Sequence, residues 1–162
     1  YNTAIGGWSL ANNTTGYTNI AIGQSTLGNN TTGYQNTAIG GWSLFSNVEG
    51  SHNTSMGQSA MYNNTTGYQN TAVGKLALWP NTSGYQNTAV GNDAGYYTNA
   101  GGNNLTSNKS VYLGHDTRAS ASGNSNEIVI GASAQGNGNN SVTLGNSSIL
   151  SSDFKHSISM SI

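Results

Sequence analysis

Cysteine is absent from the 162-residue sequence, which excludes disulfides and thiolate metal sites and leaves compartment open. Proline occurs once, at Pro80. Charge is scarce: charged residues make up 6% of the chain, against roughly 25% in ordinary soluble domains. Four scattered Lys and Arg and a net charge of −1 offer no basic cluster to displace counterions, so nucleic-acid binding is not expected. No apolar run is long enough to cross a membrane as a helix, and no signal peptide is visible, so membrane insertion is not expected either. The chain opens in mid-repeat at Tyr1, and its targeting information is expected to lie elsewhere. Hydrophobic residues are also few, at 34%. Low hydrophobicity accompanies disorder in chains rich in charge and proline and poor in aromatics. Here the aromatics recur at regular spacing, among them Trp8 and Trp42, which points to an ordered repeat.

What the sequence does contain is that repeat. Asn-Thr-Ala-Ile-Gly occurs at 2–6 and 36–40, with variants at 19–23, 53–57, 70–74 and 87–91. The closing glycines Gly6, Gly23, Gly40, Gly57, Gly74 and Gly91 fall 17 residues apart. Within Thr37-Ala38-Ile39 side chains alternate, so Thr37 and Ile39 share one strand face and Ala38 takes the other. The position of Ile5, Ile22, Ile39, Met56, Val73 and Val90 is always apolar, and is expected to form an inward column. Ala38 and its equivalents are expected to face a close backbone neighbour. Gly40 then permits a corner. A second short strand is expected at Trp42-Ser43-Leu44, adding Leu10, Leu27, Leu44, Met61 and Leu78 to the core ladder. Asn-Thr-Thr-Gly closes the unit with side chains suited to bonding nearby backbone.

Two strands and two turns per unit make one coil of an all-β solenoid, or β-roll. Helix is not expected, because β-branched residues, Asn and Gly dominate without a 3.6-residue apolar stripe. Stacked coils advance about 4.8 Å each and align identical side chains into ladders. Each coil carries few apolar residues for the number it must order, so self-association into a closed cyclic oligomer is expected. The spacing divides the chain into a regular stack at 1–94, an insertion or joint at 95–110, a second, shorter stack at 111–145 and a transition segment at 146–162.

The Asn-Thr-Ala-Ile-Gly units linked by Asn-Thr-Thr-Gly-Tyr-Gln resemble the head repeats of trimeric autotransporter adhesins, and similar repeats in phage and algal-virus tail fibres. The resemblance covers residues 1–94 and continues through Asn126-Glu127-Ile128-Val129-Ile130-Gly131 and Asn140-Ser141-Val142-Thr143-Leu144-Gly145. It implies a parallel homotrimer of left-handed β-rolls. The long units look more like tail fibres than adhesin heads. The implied role is a rigid shaft or receptor-binding segment of a virion tail fibre, attaching to a host-surface glycan or protein. The alternative owner is a bacterial surface adhesin. Ser152-Asp153-Phe154-Lys155-His156-Ser157-Ile158 is faintly similar to the start of the self-cleaving chaperone that ends some phage fibres. The lysine expected five residues after the serine is replaced by Ser157, so no catalysis is assigned there.

The candidate site residues each have a plainer role as well. Tyr17, Tyr34, Tyr68 and Tyr85 recur at coil spacing, with His52 in the missing place. They are candidates for stacking on sugars, though an inter-coil aromatic ladder is the favoured reading. Trp8 and Trp42 occupy equivalent positions and are the better candidates for receptor contact. Paired threonines such as Thr14-Thr15 raise a remote alternative, an ice-binding solenoid, but adjacent side chains point apart and suit turn chemistry instead. His115-Asp116 is the one adjacent His-acid pair, and no nucleophile elbow, phosphate loop or metal-ligand cluster is present. No enzyme activity, cofactor or metal is expected.

Overall fold

The computed structural model describes residues 1–149 of the chain. The alternating Ile158, Met160 and Ile162, the Ser152-Asp153 segment and most of the 146–162 transition segment lie outside the described residues. Nine strands stand in chain order: β1 (Asn2–Ile5), β2 (Asn19–Ile22), β3 (Thr37–Ile39), β4 (Thr54–Met56), β5 (Thr71–Val73), β6 (Thr88–Val90), β7 (Val111–Leu113), β8 (Glu127–Ile130) and β9 (Ser141–Leu144). They form one parallel sheet in the order β1 to β9. No helix occurs among the described residues. The protein is therefore a β-solenoid with one strand per coil.

Register follows the repeat. Ala21 pairs with Ala38, Ala38 with Ser55 and Ala72 with Ala89, so like residues stack on like. The corner after each strand shows why glycine recurs. Gly40 has φ of 121°, and a Cβ there would stand 2.7 Å from the carbonyl carbon of Gly57 in the next coil. Any side chain would collide with backbone and strain the dihedral at once.

Two expectations are corrected. The second strand at Trp42-Ser43-Leu44 does not form. Trp42 and Leu44 have φ of 58° and 51°, left-handed values that break the strand pleat. The segment still joins the coils: Trp42 N–H donates back to Gln24 O at 2.9 Å and Leu44 N–H donates forward to Ala60 O at 3.0 Å. The same dihedrals recur at Leu10, Leu27, Met61 and Leu78. Left-handed Leu costs on the order of 1 kcal/mol, and the geometry persists because it aims these side chains inward.

The second correction concerns the apolar column. Ile5, Ile22, Ile39, Met56, Val73 and Val90 face outward; Ile5 is 57% and Val90 41% exposed. The interior belongs to the alternate residues: Ala21, Ala38, Ser55, Ala72, Ala89, Tyr112 and Val129 are fully buried. The reason is the width of the coil. The Ser43 hydroxyl lies 2.7 Å from the Ser55 hydroxyl across the interior, a gap that admits alanine and serine but not isoleucine. The deeper end of the coil holds Leu27, Leu44, Met61 and Leu78, all buried, with Leu10 packed against them.

The stack runs on through the irregular spacing at 95–110. Val90 pairs with Leu113, so β6 and β7 are neighbours in the same sheet. The connecting coil spans 23 residues instead of 17, as the bonded pair Asn87 and Ser110 shows against Asn70 and Asn87. Its extra residues form a small loop closed by the Tyr97–Asn103 bridge and by Thr98 N–H donating to Gly102 O at 2.8 Å. Here core volume is exchanged between positions. Gly95 stands where leucine stood, and Tyr112 stands where alanine stood. The Tyr112 ring occupies the vacated space, 2.8 Å from where a Gly95 Cβ would sit.

Two asparagine ladders hold the remaining side of the tube. Asn19, Asn36, Asn53, Asn70 and Asn87 are buried. In each, the backbone N–H donates to Oδ1 of the asparagine one coil earlier, at 2.9–3.0 Å. Their Nδ2 groups donate to turn carbonyls, as Asn36 does to Gly50 O at 2.8 Å. In the second ladder, Asn30, Asn47, Asn64 and Asn81 each donate Nδ2 to the preceding asparagine's Oδ1 at 2.7–3.0 Å. Buried amides are thereby satisfied without water.

Candidate binding surfaces

The outward sheet face carries two columns set by strand alternation. One runs Ile5, Ile22, Ile39, Met56, Val73, Val90, Leu113, Ile130 and Leu144. The other runs Thr3, Ile20, Thr37, Thr54, Thr71 and Thr88 and becomes Val111, Ile128 and Val142 from β7 onward. The face thus starts half apolar and ends wholly apolar. Leu144 is 54% and Val142 63% exposed. At about 4.8 Å per step the apolar column extends on the order of 38 Å over eight steps.

The aromatic residues form columns of their own. Tyr17 stacks on Tyr34 with ring centroids 5.0 Å apart, and Tyr68 stacks on Tyr85 at the same distance. Ser51 interrupts the row, and His52, one residue further on, sets its ring edge against Tyr34 at 5.2 Å. The stacked faces are spent on each other, and Tyr17 and Tyr68 are half-exposed. A second column consists of Phe45, Tyr62, Trp79 and Tyr96, stacked at 5.2, 5.8 and 5.3 Å. Sequence reasoning missed it. The signal was present as aromatic residues 17 apart at 45, 62, 79 and 96. Tyr97 and Arg118 extend it, the guanidinium lying 5.6 Å from the Tyr97 ring centroid while Arg118 also pairs with Asp116 at 2.8 Å. Partial burial, then the neighbouring Tyr97, raises the Tyr96 phenol above its usual range. Trp8 is 77% exposed and Trp42 38%.

The first threonine of each pair is occupied. The Thr14 hydroxyl donates to Thr31 O at 2.9 Å and that of Thr31 to Val48 O at 3.0 Å, each bridging to the next coil. Glu127 is wholly buried at the foot of the first asparagine ladder, and its carboxylate accepts from the Ser120 and Gly138 N–H groups. His115 and Asp116 are neighbours in a corner, with Asp116 turned to Arg118. No group of three or more His, Asp and Glu able to hold a metal ion occurs among the described residues. No helix among them is long and apolar enough to cross a membrane.

The surfaces outline a repetitive scaffold with one apolar face and stacked aromatic edges. No protein-family model matches the chain, and no curated protein or solved structure matches it either.

Proposed function

We propose that the chain is a non-catalytic, self-associating segment of an extended fibre, of the viral tail-fibre kind, that serves attachment to a host surface. The observation that carries this reading is the outward sheet face. A contiguous column of Ile, Val, Met and Leu along nine strands, with Met56, Val90, Ile130 and Leu144 exposed, is the kind of apolar surface that marks an interaction site. Three copies arranged around an axis, sheet face inward, would bury it, and the closed symmetry would leave no apolar face for further growth sideways. The broadening of the stripe from β7 onward supports a reading in which the C-terminal coils associate most strongly.

Light scattering on a sizing column tests the reading. The expected mass is three times 16.7 kDa. A folded monomer overturns it. In that case the regular threonine column beside the apolar one, from Thr37 to Thr88, favours the ice-binding alternative, which thermal hysteresis would reveal. The bacterial adhesin alternative shares the trimer and differs in owner; a coiled-coil stalk and membrane anchor downstream in the full-length protein would mark the adhesin, and a chaperone domain there the tail fibre.

A further inference from the structure

The second aromatic column stops short. Phe45, Tyr62, Trp79 and Tyr96 fill four successive rungs, but the two rungs before them are Gly28 and Ala11. At these small residues lies an open depression of about 420 Å³ whose lining includes Trp8 and Phe45. Glycine at 28 lets the Phe45 ring settle against the coil: a Cβ there would stand 3.0 Å from Phe45 Cε2. Phe45 is thus the terminal ring of a stack, beside an unfilled rung. Trp8, the most exposed tryptophan, borders the same space.

The polar lining is uncharged. Asn12 Nδ2 donates to Asn29 Oδ1 at 3.0 Å, which fixes the two amides and leaves Asn12 Oδ1 and Asn29 Nδ2 without a partner among the described residues. Gln24 and Ser25 complete the rim, and neither side chain is hydrogen-bonded there. A ligand fitting this site needs one apolar face to lie on an aromatic ring and several neutral donors and acceptors at its edge. Hexopyranoses have that chemistry, with C–H groups on one face and vicinal hydroxyls that pair with amides. The absence of any cation in the lining disfavours phosphorylated or acidic sugars.

We infer that the rung left empty at Gly28 and Ala11 is a binding site for a neutral hexose unit of a surface glycan, seated between Trp8 and Phe45 and held by Asn12, Asn29, Gln24 and Ser25. The inference deepens the attachment reading and rests on it for its biological sense. Sugar binding and oligomeric state have separate readouts, so one can fail without the other.

The test is a titration of the full chain with neutral hexoses and their β-linked oligosaccharides, read by tryptophan fluorescence and saturation-transfer NMR. An acidic sugar serves as the comparison ligand. Binding of the neutral sugars is expected, weakened about tenfold or more by Trp8→Ala, the scale of one lost aromatic stacking contact. Gly28→Tyr supplies the missing rung from within. Its backbone dihedral is an ordinary one, since Gly28 is not among the glycines of positive φ, and tyrosine already stands at the same rung in Tyr62. The Phe45 ring and the Ser25 carbonyl must give by a few tenths of an ångström to admit the Cβ, so the variant is expected to melt somewhat lower, stay folded by circular dichroism, and lose the sugar. Unchanged binding in a folded Gly28→Tyr chain overturns the location. Binding of the acidic sugar alone, or of no sugar, overturns the ligand class.

Discussion

Replacing Asn36 by alanine tests whether the buried amide ladder, more than apolar burial, holds the coils together. The Asn36 side chain is fully buried and takes part in four hydrogen bonds. Its Oδ1 accepts from Asn53 N at 3.0 Å and Asn53 Nδ2 at 3.1 Å. Its Nδ2 donates to Asn19 Oδ1 at 3.1 Å and Gly50 O at 2.8 Å. After truncation three partners keep another bond. Gly50 O still accepts from Asn47 Nδ2 at 2.9 Å, Asn53 Nδ2 still donates to Gly67 O at 2.9 Å, and Asn19 Oδ1 still accepts from Asn36 N at 3.0 Å. The Asn53 N–H keeps none. An orphaned buried donor costs about 1–3 kcal/mol, and each of the other lost bonds roughly 0.5 kcal/mol. The expected loss is about 3 kcal/mol, or a fall in melting temperature of roughly 6–12 °C for a chain of this size. Circular dichroism melts at fixed protein concentration measure it, with Thr32→Ala as the surface control. Hydrogen exchange should show the Asn53 amide opening first, because each coil is held only by its neighbours. A loss within about 0.5 kcal/mol of the control, the range of neutral surface changes, would refute the reasoning.

Other expectations follow from the same geometry. Leu44→Ala removes a fully buried side chain and should cost about 2–5 kcal/mol in thermal melts; in dilute monomer Ile39→Ala, half-buried on the outer face, should cost under about 1 kcal/mol. Equal losses would put the outward assignment in error. The Tyr112 hydroxyl is buried without a hydrogen-bond partner, so Tyr112→Phe should be neutral or raise stability by about 1 kcal/mol in urea titration. Burial also raises the Tyr112 phenol, so the folded chain keeps a proton that the unfolded chain loses above pH about 10. Stability is therefore intact below that pH and falls as pH rises beyond it; Tyr112→Phe should flatten this alkaline limb. A fourth variant, Ile39→Lys with Val73→Lys, places two charges on the outward column and should give a folded monomer by light scattering. A mass unchanged from the parent chain would move the association surface elsewhere.

The 17-residue period was legible from residue order alone, and with it the parallel stacking, the strand at each Thr-Ala-Ile unit and the corner glycines. Parallel stacking of identical units demands little more than the repeat itself, because like residues fall in register. The buried Leu column was legible by its constancy, and the turn asparagines by their side-chain chemistry. Alternation along the strand was also correct in separating Ala38 from Ile39.

What alternation lacks is a sign: period two says that two faces exist, and not which one is inside. Hydrophobicity suggested Ile39. The structure assigned Ala38, because the walls of a one-strand coil approach to within a hydroxyl contact at Ser43 and Ser55. The left-handed dihedrals at Trp42 and Leu44 were equally hidden, since neither residue type favours them and only the closed path of the coil imposes them. The exchange of volume between Gly95 and Tyr112 is a tertiary event across 17 residues. The empty rung at Gly28 acquires meaning only when Phe45 is seen stacked beside it. Residue order set the period and the ladders; the width of the tube decided which face became core and which was left for a partner.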